Sequence, residues 1–117
     1  GNSGVLLHMS EPDTVWPRSI ECQLKAGQAG DFVTFQGVRF KELVEGRVLE
    51  KKAESSEKSP GQWNSYDITC RGNTIRVFVN GVLQNEATET TVSSGKICLQ
   101  SEGRPIEFRN IYIESLE

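Results

Sequence analysis

Several features that define common protein classes are scarce in this sequence. No run approaches the roughly 18 consecutive apolar residues of a membrane-spanning helix. The 13 basic residues are outnumbered by 16 acidic ones, which gives a net charge of −3. This lack of positive charge argues against a nucleic-acid binder, because such a protein must neutralise phosphates. The 117 residues fit one domain, and what these shortages leave is a small, mildly acidic globular protein.

Metal-binding and disulfide patterns are equally sparse. The chain has one histidine and three widely spaced cysteines, Cys22, Cys70 and Cys98, with no CxxC or Cys/His spacing. We therefore predict neither a metal site nor a cofactor. At most one internal disulfide can form, and we interpret the cysteines as small apolar strand residues. The N-terminus has no basic segment followed by an apolar one, so the chain itself shows no signal peptide.

The dominant pattern that is present is the alternation of apolar and polar residues, which is typical of β-strands. It runs through residues 5–9, 20–24, 66–70, 75–79, 97–100 and 106–113. In the last run the phase shifts at Arg109-Asn110, which predicts a β-bulge. The segment Arg39–Lys52 is interpreted as two further strands, and Trp63 and Tyr66 as core residues. The pattern predicts about nine or ten short strands and no helix.

Turn chemistry separates these runs. Asn80-Gly81 between two apolar runs is the strongest short hairpin signal, and Arg71-Gly72-Asn73 indicates a second tight connection. Ser10–Arg18 and the polar segment Glu54–Gln62 are predicted loops, the latter mobile. Many short antiparallel strands with hairpin turns predict an all-β sandwich or barrel.

Five segments then carry a family resemblance by their order along the chain. They are NSGVLLH (2–8), WPRSIECQL (16–24), WNSYDI (63–68), IRVFVNGV (75–82), and GKICLQ (95–100) continued by Gly103, Pro105 and EFRNI (107–111). Together they resemble the domain of unknown function 1080, also called the 3-keto-disaccharide hydrolase domain. The resemblance spans nearly the whole chain. It implies a single antiparallel jelly-roll sandwich of the concanavalin A-like lectin and glucanase type. It also implies a secreted or periplasmic bacterial protein that hydrolyses a disaccharide or 3-keto-glycoside.

The chain departs from this family at its start and at two positions. The opening strands that precede the NSG segment in relatives have no counterpart, so we interpret residues 1–117 as one domain that is incomplete at its N-terminus. Relatives often have arginine at the position of His8 and glycine at that of Cys98. An incomplete sandwich exposes an unpaired sheet edge, and such edges recruit strands. A homo-oligomer that shares strands is therefore one expectation.

Strand parity predicts one polar sheet face, which the resembling fold makes concave and suited to a carbohydrate. The residues placed there are His8, Glu21, Gln23, Gln100, Glu107 and Arg109. Glycosidic cleavage normally needs two carboxyl groups, so Glu21 and Glu107 are the predicted catalytic pair. His8 is a further candidate for acid–base catalysis. The predicted substrate-binding residues are Gln23, Gln100, Arg109 and Trp16, with Trp16 stacking on a sugar ring.

Other interpretations of the same face stay open. Keto-sugar chemistry can proceed by proton abstraction next to the carbonyl, which needs one base and one electrophile such as Arg109. A non-catalytic carbohydrate-binding module would use the same side chains without turnover. Glutamate and glutamine on an outer sheet face are also typical of a plainly solvated surface, and Glu107 beside Arg109 is compatible with a simple surface ion pair.

Overall fold

The computed structural model of the chain describes residues 2–10 and 14–116. Within these residues there are eight strands, fewer than predicted, and no helix, so none that could cross a membrane. The strands are Asn2–Met9 (β1), Ser19–Gln23 (β2), Phe32–Phe35 (β3), Val48–Leu49 (β4), Tyr66–Arg71 (β5), Thr74–Val79 (β6), Val82–Ala87 (β7) and Lys96–Glu102 (β8). Residues 14–18 lie between strands, as predicted, and residues 11–13 of that predicted loop lie outside the described part.

All strand pairs are antiparallel, and they form two sheets. The larger sheet has the order β4-β3-β2-β1-β8, and the smaller has the order β5-β6-β7. Alternate apolar side chains of both sheets meet between them, and this core includes Leu7, Ile20, Phe32, Ile75 and Val77. The predicted antiparallel β-sandwich of the concanavalin A-like type is confirmed.

The predicted hairpin turns are also confirmed. Asn80 and Gly81 have φ angles of 50° and 82° and connect β6 to β7. Positive φ at both central residues is the geometry that Asn-Gly adopts most readily, and its twist matches that of the flanking strands. Gly72, with a φ of 57°, begins the other short turn, between β5 and β6.

The smaller sheet covers only part of the larger one. On β5, the Tyr66 hydroxyl donates to the Gln23 carbonyl of β2 at 3.0 Å. On β7, the Asn85 amide donates to the Leu49 carbonyl of β4 at 3.1 Å. On β8, Leu99 pairs with Val5 and so shares its core-facing side, yet Leu99 is 47% exposed. The smaller sheet therefore lies over β2 to β4 and leaves the β8 side open.

Two strand predictions are wrong. Residues 106–113 alternate as a strand would, but they form none, because no other described segment pairs with them. The predicted bulge position does depart from extended backbone, since Asn110 has a φ of 52°. In Arg39–Lys52 only β4 forms, and bends and turns occupy half of the remainder.

Trp63 was predicted in the core and is instead 41% exposed. Its ring supports the guanidinium of Arg109, whose central carbon lies 3.9 Å from the ring centroid. Because Arg109 covers one ring face from outside, the indole forms a surface cation–π pair. Tyr66 is partly buried and packs against the core, as predicted.

The Glu54–Gln62 loop is tied down by side-chain hydrogen bonds, although its composition predicts mobility. The Asn80 amide donates to the Ser56 carbonyl at 2.7 Å and to Asn64 Oδ1 at 2.9 Å. Glu57 accepts from the backbone N–H groups of Gly27 and Ala29 at 3.1 and 3.2 Å. Asn80 thus fixes this loop in addition to forming its own turn.

Candidate functional site

The centre of the candidate site is β2, whose two faces differ in chemistry. Ile20 and Cys22 point into the core, so Glu21 and Gln23 point to the opposite face of the larger sheet. Glu21 is only 2% exposed despite lying on that outer face. A Cβ on Gly4, which lies across from Gln23, would sit 2.6 Å from Glu21 Cγ. A glycine at position 4 therefore leaves the space in which the Glu21 side chain lies.

Glu21 borders an open depression of about 420 Å³, a size within the range of small-molecule sites. The residues that line it are Trp16, Glu21, Gln23, Val33, Phe35, Gln36, Arg47 and Glu102. The Trp16 ring stacks on that of Phe35 with a centroid separation of 5.4 Å, and Trp16 remains 44% exposed. An acid, an amide and an accessible aromatic ring thus face the same space.

The carboxyl group of Glu21 is electrostatically unusual. Its pKa is raised to about 7, first because burial disfavours the charged form and second because Glu102 is also negative. Glu21 Oε2 is buried and has no hydrogen-bond partner among the described residues. A carboxyl that titrates near neutrality can both hold and release a proton, and such groups are typical of functional sites.

Three of the predicted site residues accompany Glu21. Gln23 and Trp16 line the depression. Gln100 pairs with Gly4 from the β8 side, as Gln23 does from the β2 side, so both amides share the face of Glu21. Gln100 Oε1 is buried without a partner in the described part of the chain, although Gln100 does not line the depression itself.

Glu107 and Arg109 do not join this group, so their predicted placement on the sheet is wrong. Both are exposed, both follow β8 in the segment without a strand, and neither lines the depression. Parity places a residue only when its segment pairs within the sheet, and this segment does not. The predicted carboxylate pair of Glu21 and Glu107 is therefore not assembled.

His8 also lies outside the depression. Its φ is 53°, and the register between β1 and β8 shifts between Leu6 and Met9, so parity fails at this position as well. The side chain is buried, its Nε2 has no partner among the described residues, and burial lowers the pKa of the imidazole. At neutral pH this histidine is therefore in its neutral form.

Two charged residues that line the depression, Glu102 and Arg47, were not predicted from the sequence. Glu102 follows Gln100 by two positions on β8, so alternation already placed it on the face of Gln100. Arg47 immediately precedes β4, in a segment whose irregular backbone gives no parity signal.

Across residues 2–10 and 14–116, no three His, Cys, Asp or Glu side chains meet in a way that would hold a metal ion.

Comparison with protein families matches residues 1–114 to a model described as the 3-keto-alpha-glucoside-1,2-lyase-like domain. No curated protein matches the chain, and no solved structure matches it. The family match covers nearly the whole sequence, so it includes every strand of both sheets and all the residues that line the depression.

Proposed function

The chain belongs to the 3-keto-alpha-glucoside-1,2-lyase-like family, and from that premise we propose that it cleaves a 3-keto-glycoside by elimination, with Glu21 as the base. At the coarser level it is a keto-glycoside lyase-like, glycosidase-type domain. The observation that carries the proposal is the environment of Glu21: a buried carboxyl with a pKa of about 7 and an unpartnered Oε2, at the wall of an open depression.

Elimination needs only one carboxylate, whereas the predicted hydrolysis needs the pair of Glu21 and Glu107. A carbonyl at C3 makes the proton on C2 acidic, so a single carboxylate can remove it. The electron pair of the C2–H bond passes through an enolate of the C3 carbonyl and ends in the C1=C2 double bond; the C1–O bond breaks, and the leaving oxygen takes a proton from water. Hydrolysis by the predicted pair would need Glu107, which lies outside the depression.

The neighbours of Glu21 supply binding groups for the sugar. Gln23 offers an amide that both donates and accepts hydrogen bonds. The exposed ring of Trp16 offers an apolar surface on which a sugar ring can stack. Phe35 supports that ring from behind, so Trp16 is held in place before the ligand arrives.

The test is turnover of 3-keto-glucosides by the purified chain and by Glu21→Gln. We expect the wild-type chain to release an unsaturated keto-sugar, visible by NMR and ultraviolet absorbance. Glu21→Gln should be slower by about 100-fold or more, since it removes the proton acceptor and keeps the shape. Glu45→Gln, at an exposed glutamate that does not line the depression, is the matched control and should be unchanged.

The products separate this function from its alternatives. Two saturated sugars would instead indicate hydrolysis. Calorimetric binding of a saccharide without any product would indicate a carbohydrate-binding module, which uses the same face. An active wild-type chain with an equally active Glu21→Gln would remove Glu21 from the mechanism. A secreted or periplasmic location stays a prediction from the resemblance.

A further inference from the structure

Arg47 is a cation without a charged partner inside the depression. Of the described residues that line this space, it alone is positively charged. Its guanidinium makes no hydrogen bond and no ion pair with any described residue. Its central guanidinium carbon lies 5.7 Å from the centroid of the Phe35 ring. Its donors are therefore available to a ligand.

The backbone around Arg47 is fixed on both sides. The Arg47 carbonyl accepts from the Thr34 N–H of β3 at 2.8 Å, and β4 begins at the next residue. Upstream, the Arg39 guanidinium donates to the carbonyls of Leu43 and Gly46, both at 2.8 Å. Arg39 thus shapes the turn that delivers Arg47 to the sheet edge. This support reduces the ordering that binding would require.

Three other arginines, Arg39, Arg76 and Arg109, have side chains that are engaged elsewhere. Arg39 is engaged by the backbone carbonyls just described. Arg76 pairs with Glu86 at 2.6 Å on the smaller sheet. Arg109, the predicted electrophile, covers Trp63 outside the depression. Arg47 differs from all of them because it lines the same depression as Glu21 and its guanidinium has no hydrogen bond with any described residue.

Arg47 also leaves the basicity of Glu21 intact. The pKa of Glu21 is raised by burial and by Glu102, and no cation acts against them. A guanidinium paired with Glu21 would lower that pKa and make the carboxylate a weaker base. The proton acceptor, Glu21, and the positive group, Arg47, therefore do not pair with each other. Each is left to act on the substrate.

We propose that Arg47 binds the C3 carbonyl oxygen of the substrate and stabilises the enolate that forms there. The inference rests on the proposed function, because it takes Glu21 as the base. As the C2 proton moves to Glu21, the C2–H electron pair forms a C2=C3 bond and the carbonyl pair moves onto oxygen. When the enolate collapses, the C3 carbonyl re-forms, the C2=C3 electron pair becomes the C1=C2 bond, the C1–O bond breaks, and the leaving oxygen takes a proton from water. Guanidinium donors aimed at the developing oxyanion would lower this barrier.

The experiment follows C2–H exchange in deuterium oxide by NMR, together with kcat and KM, for wild type, Arg47→Met and Arg47→Lys. Arg47→Met should lower both exchange and kcat by about 100-fold, with KM changed only several-fold. Arg47→Lys should recover part of the rate, because an ammonium keeps the charge but loses the planar donor geometry. Arg71→Met, at an exposed arginine of β5, is the matched control and should behave as wild type.

The outcomes distinguish a failure of the role proposed for Arg47 from a failure of the proposed function on which it rests. A wild-type chain that neither exchanges C2–H nor cleaves 3-keto-glucosides overturns the proposed function itself. Active wild type with equal rates in Arg47→Met overturns only the role of Arg47. A drop confined to KM would also overturn it, since that loss indicates ground-state binding alone. Circular dichroism checks folding, and Arg47→Gln serves in place of Arg47→Met if the latter does not fold.

Discussion

The larger sheet has a covered side, β2 to β4, which lies under the smaller sheet, and an open side at β8. The two carry similar sequence patterns but have very different surroundings. Phe32 on β3 is fully buried, and its ring meets the edge of Phe40 at a centroid separation of 5.6 Å. On β8, Ile97 and Leu99 point to the same face of the sheet as Phe32, yet they remain 51% and 47% exposed. The difference is the cover: β5 to β7 lie over one side and not over the other. Alternation therefore identifies which residues share a face, and the opposing sheet decides which of them are buried.

The candidate site depends mainly on the covered side. Glu21 and Gln23 lie on β2, directly behind the buried residues Ile20 and Cys22. Packing of the core face holds the strand in place, so the side chains on its other face are held as well. Among the described residues that line the depression, only Glu102 comes from the open side. The well-packed side thus provides most of the candidate chemistry.

The sharpest test of this comparison is truncation of one residue on each side. Phe32→Ala should lower the free energy of unfolding by about 3–5 kcal/mol, since it leaves a cavity in the closed core. Leu99→Ala should lower it by less than about 1 kcal/mol, since nearly half of that side chain is already in water. Urea unfolding followed by tryptophan fluorescence measures both. Equal losses would mean that the β8 side is covered as well as the β3 side.

The buried carboxyl of Glu21 predicts a pH dependence that the open side should lack. The pKa of Glu21 rises from the ordinary 4.5 to about 7 on folding, so the folded chain binds this proton more tightly. The resulting stability is fully present below about pH 4.5 and is lost as the pH rises to about 7. The loss should be about 2 kcal/mol after screening by solvent.

Glu21→Gln isolates this contribution, because its amide does not titrate. Urea midpoints measured from pH 4.5 to 8 should fall for wild type and stay nearly level for the variant. Glu107→Gln is the control from the open side and should follow wild type, since Glu107 is exposed. Parallel curves for wild type and Glu21→Gln would show that Glu21 is not desolvated.

Regular strand pairing made three of the six residues predicted for the polar face correct. Period two correctly placed Glu21, Gln23 and Gln100 on one face, because β1, β2 and β8 keep their register around Gly4. The same rule failed for Glu107, since alternation cannot reveal whether a strand has a neighbour. It failed at His8, where the register shifts.

The alternation of apolar and polar residues could not predict where side chains outside regular strands lie. Arg47 reaches the depression through the turn that Arg39 holds, and those hydrogen bonds join residues with no periodic relation. Asn80 gives a clear turn signal, but its side-chain bonds to Ser56 and Asn64 depend on how the loop returns to the hairpin. Contacts of this kind are set by the tertiary fold and leave no local signature in the sequence.

The smallest expected effect on stability concerns the open side, where self-association stays a prediction. Ile97 and Leu99 expose apolar surface on β8. Among the described residues β8 pairs with β1 alone, and unpaired edges with apolar surface favour association. Sedimentation velocity should show a dimer or higher oligomer of the wild type at micromolar concentration.

Leu99→Ser should shift the chain toward monomer while changing protomer stability by less than about 1 kcal/mol. Val44→Ser, at an exposed position outside the strands, should leave association unchanged. A compact wild-type monomer would show that the open side needs no second copy, and would separate exposure on β8 from assembly.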